Sequence, residues 1–339
     1  MSATRTRIVA LAALAASFVC ISSEAAQTEV PHAAPSSSEG NTKTEPATML
    51  RNARSLLGDG KLAEAESLLR QALNENQQSA EAHFLLGEVL FREQKPRESL
   101  AEFTSGAKWK RPGPVELRVV ASDYVLLKDF ADADKWFTEV TAETPADPEA
   151  WYLLGRTKYD ENRFAEAIAS FEHVLSLRPR DVKAENNRGL SLQGLGRNEE
   201  AEATFQRAID WESALPGDAQ PYMNLGRLLT DQGDAARAVP LLAKAAQLSP
   251  HNPKIHEELG RAYLAQGDLP NAQTQLERAI AIAHNASSLH FKLGQVYHRR
   301  GLAEMARAQF EICARLDGSH SSVEVPNPFS RPLDAKPPH

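Results

Sequence analysis

Apolar positions along this chain come in short bursts spaced by three and four residues, each burst followed by a polar break. In the stretch 148–181 the first burst is Trp151, Leu154 and Gly155. A break falls at Asn162, and Phe164, Ala167, Ile168, Phe171, Val174 and Leu175 make the second. That spacing gives each segment one buried stripe per helix, and the short break predicts two antiparallel helices joined by a turn. The unit then recurs. Gly155, Gly189, Gly226, Gly260 and Gly294 sit in near-identical surroundings, with gaps of 34, 37, 34 and 34 residues. A period of this length predicts an all-α solenoid of stacked helix pairs, about eight of them. The units run near 46–79, 80–113, 114–147, 148–181, 182–218, 219–252, 253–286 and 287–318.

Punctuation inside the unit follows from backbone chemistry. Gly60, Gly196, Gly233, Gly267 and Gly301, with Asn162, fall where the first helix ends, a place that suits a left-handed residue. Ala65, Ser99, Ala133, Ala167, Ala201, Ala238, Ala272 and Ala306 share one point on the second helix, where a small side chain lets a neighbouring helix approach. Four residues on, Leu69, Phe103, Phe137, Phe171, Phe205, Leu242, Leu276 and Phe310 fill the space between helices. Pro145, Pro179 and Pro250 stop the second helix. The third unit has Ala121 at the Gly position, and the fifth carries three extra residues around Leu215-Pro216-Gly217.

The order Trp151, Leu154, Gly155, Ala167, Phe171 and Pro179, repeated as Tyr222, Leu225, Gly226, Ala238, Ala245 and Pro250, resembles the tetratricopeptide repeat family. The resemblance covers the eight units and implies that the α-solenoid winds as a right-handed superhelix. It implies a concave groove lined by positions 2, 5, 6, 9, 12 and 13 of each first helix. Carried over, these are Tyr152, Arg156 and Tyr159 in the fourth unit, and Asn186, Asn187 and Gln193 in the fifth. The sixth supplies Met223, Asn224 and Arg227, the seventh Lys254 and Arg261, and the eighth Phe291, Gln295 and His298. Asn187 and Asn224 share position 6, where an amide can donate to and accept from an extended peptide backbone. Arg156, Arg227 and Arg261 share position 9, and their forked donors suit carboxylates. The family's clamp for acidic C-terminal peptides is incomplete, since Leu190 and Glu258 occupy two of its places. In the third unit Val115, Val119, Val125 and Leu126 predict an apolar stretch of groove.

Outside the repeats the composition changes. Arg5 and Arg7 precede the uncharged apolar run Ile8–Ile21 and the small residues Ser23 and Ala25, the layout of a secretory signal peptide over residues 1–25. A retained N-terminal membrane anchor is the alternative. Residues 26–45 are rich in Pro, Ser, Thr and Glu and predict a disordered linker. Residues 319–339 form a Pro-rich tail, in which Val323, Val325 and Phe329 are candidates to fold back on the last unit. With cleavage only Cys313 would remain, so no internal disulfide is expected, and Cys313 itself is expected to be buried and inert.

The chemistry of the chain points away from catalysis. Its ten His residues form no pair at metal spacing, and His256-Glu257-Glu258 lacks the second His of a zinc-protease motif. No catalytic residues, cofactor or metal are expected. A net charge of −7 with Lys and Arg dispersed argues against nucleic acid. The sequence thus predicts a non-enzymatic scaffold or adaptor, exported to the periplasm or secreted. It would bind other proteins or peptides, including ones with carboxylate groups, in its groove. The alternative is an assembly subunit that acts through its solenoid ends by self-association. Membrane contact would come only by association or through the retained anchor.

Overall fold

A computed structural model describes residues 45–212 and 217–318, which form sixteen α-helices and no strand. The chain divides into two compact units, Met1–Glu161 and Asn162–His339. The signal-peptide, linker and tail assignments lie outside the described residues, as do Val323, Val325 and Phe329.

In unit 1 the helices are α1 (Pro46–Gly58), α2 (Leu62–Glu75), α3 (Ala80–Arg92), α4 (Pro96–Gly106), α5 (Pro114–Leu126), α6 (Phe130–Glu143) and α7 (Pro148–Asp160). They pack most closely in pairs, α1 with α2, α3 with α4 and α5 with α6, and first helices also touch: α1 meets α3, and α3 meets α5. Unit 2 repeats the scheme with α8 (Phe164–Leu177), α9 (Val182–Gly194), α10 (Asn198–Glu212), α11 (Gln220–Asp231), α12 (Ala235–Leu248), α13 (Pro253–Gln266), α14 (Leu269–Ile282), α15 (Ser287–Arg299) and α16 (Ala303–Gly318). There α11 touches both α9 and α13. Both units are therefore all-α solenoid stacks.

One contact explains why position 8 is so often Gly. A Cβ on Gly87 would come within 2.7 Å of the Phe103 ring, one on Gly189 within 2.6 Å of Phe205, and one on Gly226 within 2.5 Å of Leu242 Cγ. The bulky residue of the second helix lies flat on the bare backbone of the first, and Phe103, Phe205 and Leu242 are sealed from solvent as a result. Asp, Asn or Ser caps the N-terminus of many of these helices. Ser79, Asp147, Asp181, Asp234, Asn252 and Asp268 each accept a backbone N–H from the first turn.

The left-handed corner between paired helices is occupied by Gly60, Gly196, Gly233, Gly267 and Gly301, and by Asn162. Gln94 (φ 62°) and Lys128 (φ 59°) hold the same corner in the second and third repeats without glycine's freedom. Each bears a local cost of about 1 kcal/mol that the surrounding packing offsets.

Position 4, the family's Trp site, carries a second recurring device. Trp151 Nε1–H donates to the Pro145 carbonyl, six residues upstream, at 3.0 Å. His83, His256 and His290 stand at the same register, and their Nε2 atoms meet the Gln77, Pro250 and His284 carbonyls at 3.1, 2.9 and 3.0 Å. The opposite ring nitrogens reach Glu102, Gln275 and Gln309 on the second helix of the same repeat. These imidazoles staple a loop to two helices. That accounts for three of the histidines, His256 among them.

Just past the fifth repeat's extra residues, the chain is tied to Glu212 at the end of α10. Its carboxylate accepts the backbone N–H of Gly217, and that of Asp218 at 2.7 Å. Cys313 is half-buried, a correction to the buried position expected for it. Its flank on α16 is more open than an inner repeat's, and its thiol reaches Asp317 at 3.7 Å. Burial, with Asp317 adding to it, raises the thiol's pKa and keeps it protonated.

Candidate functional site

In unit 2, positions 5, 6, 9, 12 and 13 of the first helices α9, α11, α13 and α15 are tied to one another across repeats. Asn224 Nδ2 of α11 donates to Asn186 Oδ1 of α9 at 2.9 Å. Two repeats on, Lys292 Nζ of α15 donates to Glu257 Oε1 of α13 at 2.5 Å. Both pairs link position 6 of one repeat to position 5 of the repeat before it. A second kind of tie starts from position 9. Arg227 Nη2 donates to Gln193 Oε1 at 3.1 Å, and Arg261 Nη2 to Asp231 Oδ1 at 2.7 Å.

These ties change the expectation drawn for the amides. Asn186, Asn187 and Asn224 are 6%, 8% and 4% exposed, so they are wall groups and not open donors. Asn187 spends an amide hydrogen on the Lys183 carbonyl of its own helix at 2.8 Å, and Asn224 spends one on Asn186. The reason is distance: the first helices of adjacent repeats stand close enough for position 6 to reach position 5. The same closeness corrects the picture of Arg261. Its guanidinium is occupied by Asp231 and by Glu258 Oε2, at 2.7 and 2.6 Å. Arg227 is less satisfied, because its buried Nε has no partner.

Charge balance follows from these contacts. Burial alone would raise the Glu257 carboxyl, but the Lys292 and Lys254 ammoniums outweigh it and hold the pKa below the carboxylate range. Burial likewise opposes Lys254 and Arg261, and their acidic neighbours reverse it and raise both. Glu258, 1% exposed, is enclosed by Lys254 and Arg261 at 3.1 and 2.6 Å. Glu257 and Asp231 were not among the residues picked from the sequence. Both sit at groove positions 5 and 13, so their register was the available signal.

The remaining residues fall as follows. Met223 and Gln295 are half-buried, while Lys254 and His298 are exposed. Phe291 is 42% exposed with its ring tilted against Phe310 at 5.7 Å. A cleft of about 320 Å³ opens between Thr230, Arg261, Leu264, Lys292, Gln295 and Arg299. A roomier cleft of about 540 Å³, beside His256 and against α12 and α14, includes none of the groove positions. Tyr152, Arg156 and Tyr159 belong to α7 of unit 1, with both tyrosines half-buried and Arg156 exposed.

The first helices of unit 1 present a different face. Val115 and Leu126 are 61% and 40% exposed, with Val119 and Val125 half-buried beside them. A smaller cleft of about 140 Å³ is floored by Phe84, Leu85, Phe103 and Val119 and edged by Arg54, Glu81, Glu88 and Lys110. Among the described residues, no group of His, Cys, Asp and Glu is arranged to hold a metal ion, and no helix is long and apolar enough to cross a membrane.

Comparison with known proteins agrees with the register. Tetratricopeptide repeat profiles match residues 50–112, 148–181, 181–251, 229–295 and 288–311. A TPR repeat-containing protein of Arabidopsis thaliana is 32% identical over 105 residues, which are 29% of this chain and 13% of that protein. Protein FlbA of Caulobacter vibrioides is 30% identical over 122 residues, 36% of this chain and 20% of its own length. The chain thus spans well under two thirds of these relatives. Among solved structures, a tetratricopeptide repeat protein from Parabacteroides merdae superposes with a TM-score of 0.60 at 21% identity, covering 74% of this chain and 98% of that one. The Cut9–Hcn1 hetero-tetramer of the APC/C matches at 0.56 and 15% identity, over 82% of this chain and 54% of that one. Proteins of this fold generally mediate protein–protein interactions and are typically non-enzymatic scaffolds. Repeat spacing, helix pairing and the profile matches agree, and the chain belongs to the tetratricopeptide repeat family.

Proposed function

We propose that this chain is an exported interaction scaffold whose unit 2 groove, along α9, α11, α13 and α15, receives an extended peptide. The observation that carries this reading is the set of ties between position 9 or 6 of one repeat and positions 12, 13 or 5 of the one before. They fix amides, guanidiniums and ammoniums in place before any ligand arrives, which lowers the ordering cost of binding. Arg227 keeps further capacity, since a guanidinium has five N–H donors and Gln193 takes only Nη2, while the buried amides brace the wall beside it. Carboxylate-bearing segments fit best, through Arg227, Lys254 and the exposed Arg299. The N-terminal layout of Arg5, Arg7 and the Ile8–Ile21 run supports export.

The test is a selection of random peptides on the intact chain, followed by fluorescence anisotropy with the enriched sequence. Combined Asn224→Ala and Arg227→Ala substitution is expected to weaken affinity at least tenfold, with the helical circular dichroism retained. Unchanged affinity would remove the groove from the account. Export is tested separately, by whether a reporter fused after Ala26 reaches the periplasm and loses residues 1–25.

A further inference from the structure

Repeat register isolates one pair of residues in unit 1. At position 20 the eight repeats carry Ala seven times and Ser once, as Ser99. At position 10 they carry Ser55, Val89, Asp123, Thr157, Ser191, Leu228, Ala262 and Val296, so Asp123 is the lone acid. These two departures meet: Ser99 Oγ of α4 lies 2.6 Å from Asp123 Oδ2 of α5. Both residues are fully buried, and Asp123 Oδ1 has no hydrogen-bond partner. Thr157 and Ser191, the buried hydroxyls at position 10, donate to carbonyls of their own helices. An ionised carboxylate has nothing to donate.

Hydrogen counting settles which form fits. Ser99 Oγ also lies 2.8 Å from the Gly87 carbonyl oxygen of α3, which can only accept. A hydroxyl carries one hydrogen. Spent on Gly87, it leaves Oγ as the acceptor for a proton on Asp123, and the chain Asp123 Oδ2–H to Ser99 Oγ–H to Gly87 O is satisfied throughout. Spent on an ionised Asp123, it leaves two oxygens opposed at 2.8 Å and a buried charge without a cation. Charged groups on the surrounding elements are engaged elsewhere. Glu88 of α3 holds Arg92, Glu102 of α4 meets His83, and Asp129 caps α6. The neighbouring Tyr124 phenol is pushed up to about 12 by burial, with Asp132, Asp129 and Asp123 adding to it, and so stays neutral.

We propose that Asp123 is a proton-holding latch between the second and third repeats, closed while its carboxyl is protonated and loosened when the proton leaves. Burial, against the smaller opposing effect of Ser99, moves the carboxyl from 3.8 to about 7. The folded chain therefore keeps a proton that the opened chain releases above its ordinary value. Stability of the junction is full below 3.8, falls as pH rises toward 7, and levels off above. The latch spans α3, α4 and α5, and Phe103, which lies on Gly87, floors the cleft of unit 1. Loss of the proton therefore loosens the apolar groove of this unit and leaves the ties of unit 2 alone.

The experiment is amide hydrogen exchange of the intact chain at pH 5 and pH 8, corrected for intrinsic rates and read on α3, α4 and α5. In the wild type the opening constant should rise on the order of a hundredfold between the two conditions. Asp123→Asn keeps a donor toward Ser99 without a titrating proton, and its corrected opening should be flat. Should that variant fold poorly, the Ser99→Ala/Asp123→Val pair restores the small and apolar residues of the other repeats and serves as the second arm. A wild type that changes less than threefold, or variants that track the wild-type rise, would overturn the latch.

Discussion

Unit 1 encloses Asp123 with a hydroxyl and no cation, while unit 2 encloses Glu185, Glu257 and Glu258 within rings of Arg and Lys. The groove-facing residues diverge in the same way. In unit 1 Val115 and Leu126 are exposed with Val119 and Val125 half-buried beside them, whereas unit 2 sets Gln, Arg and Lys over buried Asn. The helix pair and its Gly-on-Phe or Gly-on-Leu contact are common to both. One repeat therefore supplies the frame, and the positions that the frame leaves free set the chemistry of each face. A buried acid with a cation beside it strengthens a wall at neutral pH. A buried acid without one makes the wall depend on a proton.

The largest test of this contrast is acidification. From pH 7 to pH 4, the junction of α3, α4 and α5 should tighten by about 3 kcal/mol, most of the worth of a shift from 3.8 to about 7. Unit 2 should respond in the opposite sense and later. Glu257 is held below its ordinary 4.5, so its contribution is complete above that pH and fades as pH falls through the lower folded value. Exchange measured on α13 and α15 should therefore quicken only below that ordinary value. If both units loosened together on acidification, the contrast between them would fail.

A steric comparison comes next. Gly226→Ala places a methyl 2.5 Å from Leu242 Cγ, a branched atom close to the backbone, whereas Gly87→Ala meets the edge of the Phe103 ring at 2.7 Å. Urea unfolding should show a loss of about 1–3 kcal/mol for each, larger at Gly226 because a ring can slide and Leu242 Cγ cannot. Replacing Lys292 by Met leaves Glu257 with Lys254 alone. That change should cost about 1–2 kcal/mol, and more in low salt than in high. The smallest effect is a gain: Lys128→Gly, at φ 59°, should raise stability by about 0.5–1 kcal/mol in the same assay.

Much of the fold could be read before any coordinates. Helix starts at Pro46, Ala80, Pro114 and Pro148, and the left-handed corners at Gly60, Gly196 and Asn162, follow from spacing and turn chemistry. Gln94 and Lys128 at the same corner were not legible, since neither residue type prefers that conformation and only the surrounding packing imposes it. The site was legible in direction but not in partnership. Register places Asn224, Arg227 and Arg261 on one face of their helices, yet whether a side chain reaches its neighbour depends on the gap between helices. That gap turns Asn224 onto Asn186 and Arg261 onto Asp231. The pairing of Ser99 with Asp123 was not legible, because it joins residues 24 apart on different helices. The three histidines and Trp151 shared a position whose common carbonyl partner became apparent only in three dimensions.

The central claim is that the polar wall of unit 2 is where a partner segment lies. The most direct measurement is a photo-crosslinking footprint of the selected peptide, carrying a benzophenone at successive positions, on the intact chain. Crosslinks should fall on α9, α11, α13 and α15 in an order that follows the peptide sequence, and should vanish with Asn224→Ala/Arg227→Ala. Crosslinks confined to the second helices, or to α3 and α5 in unit 1, would contradict it.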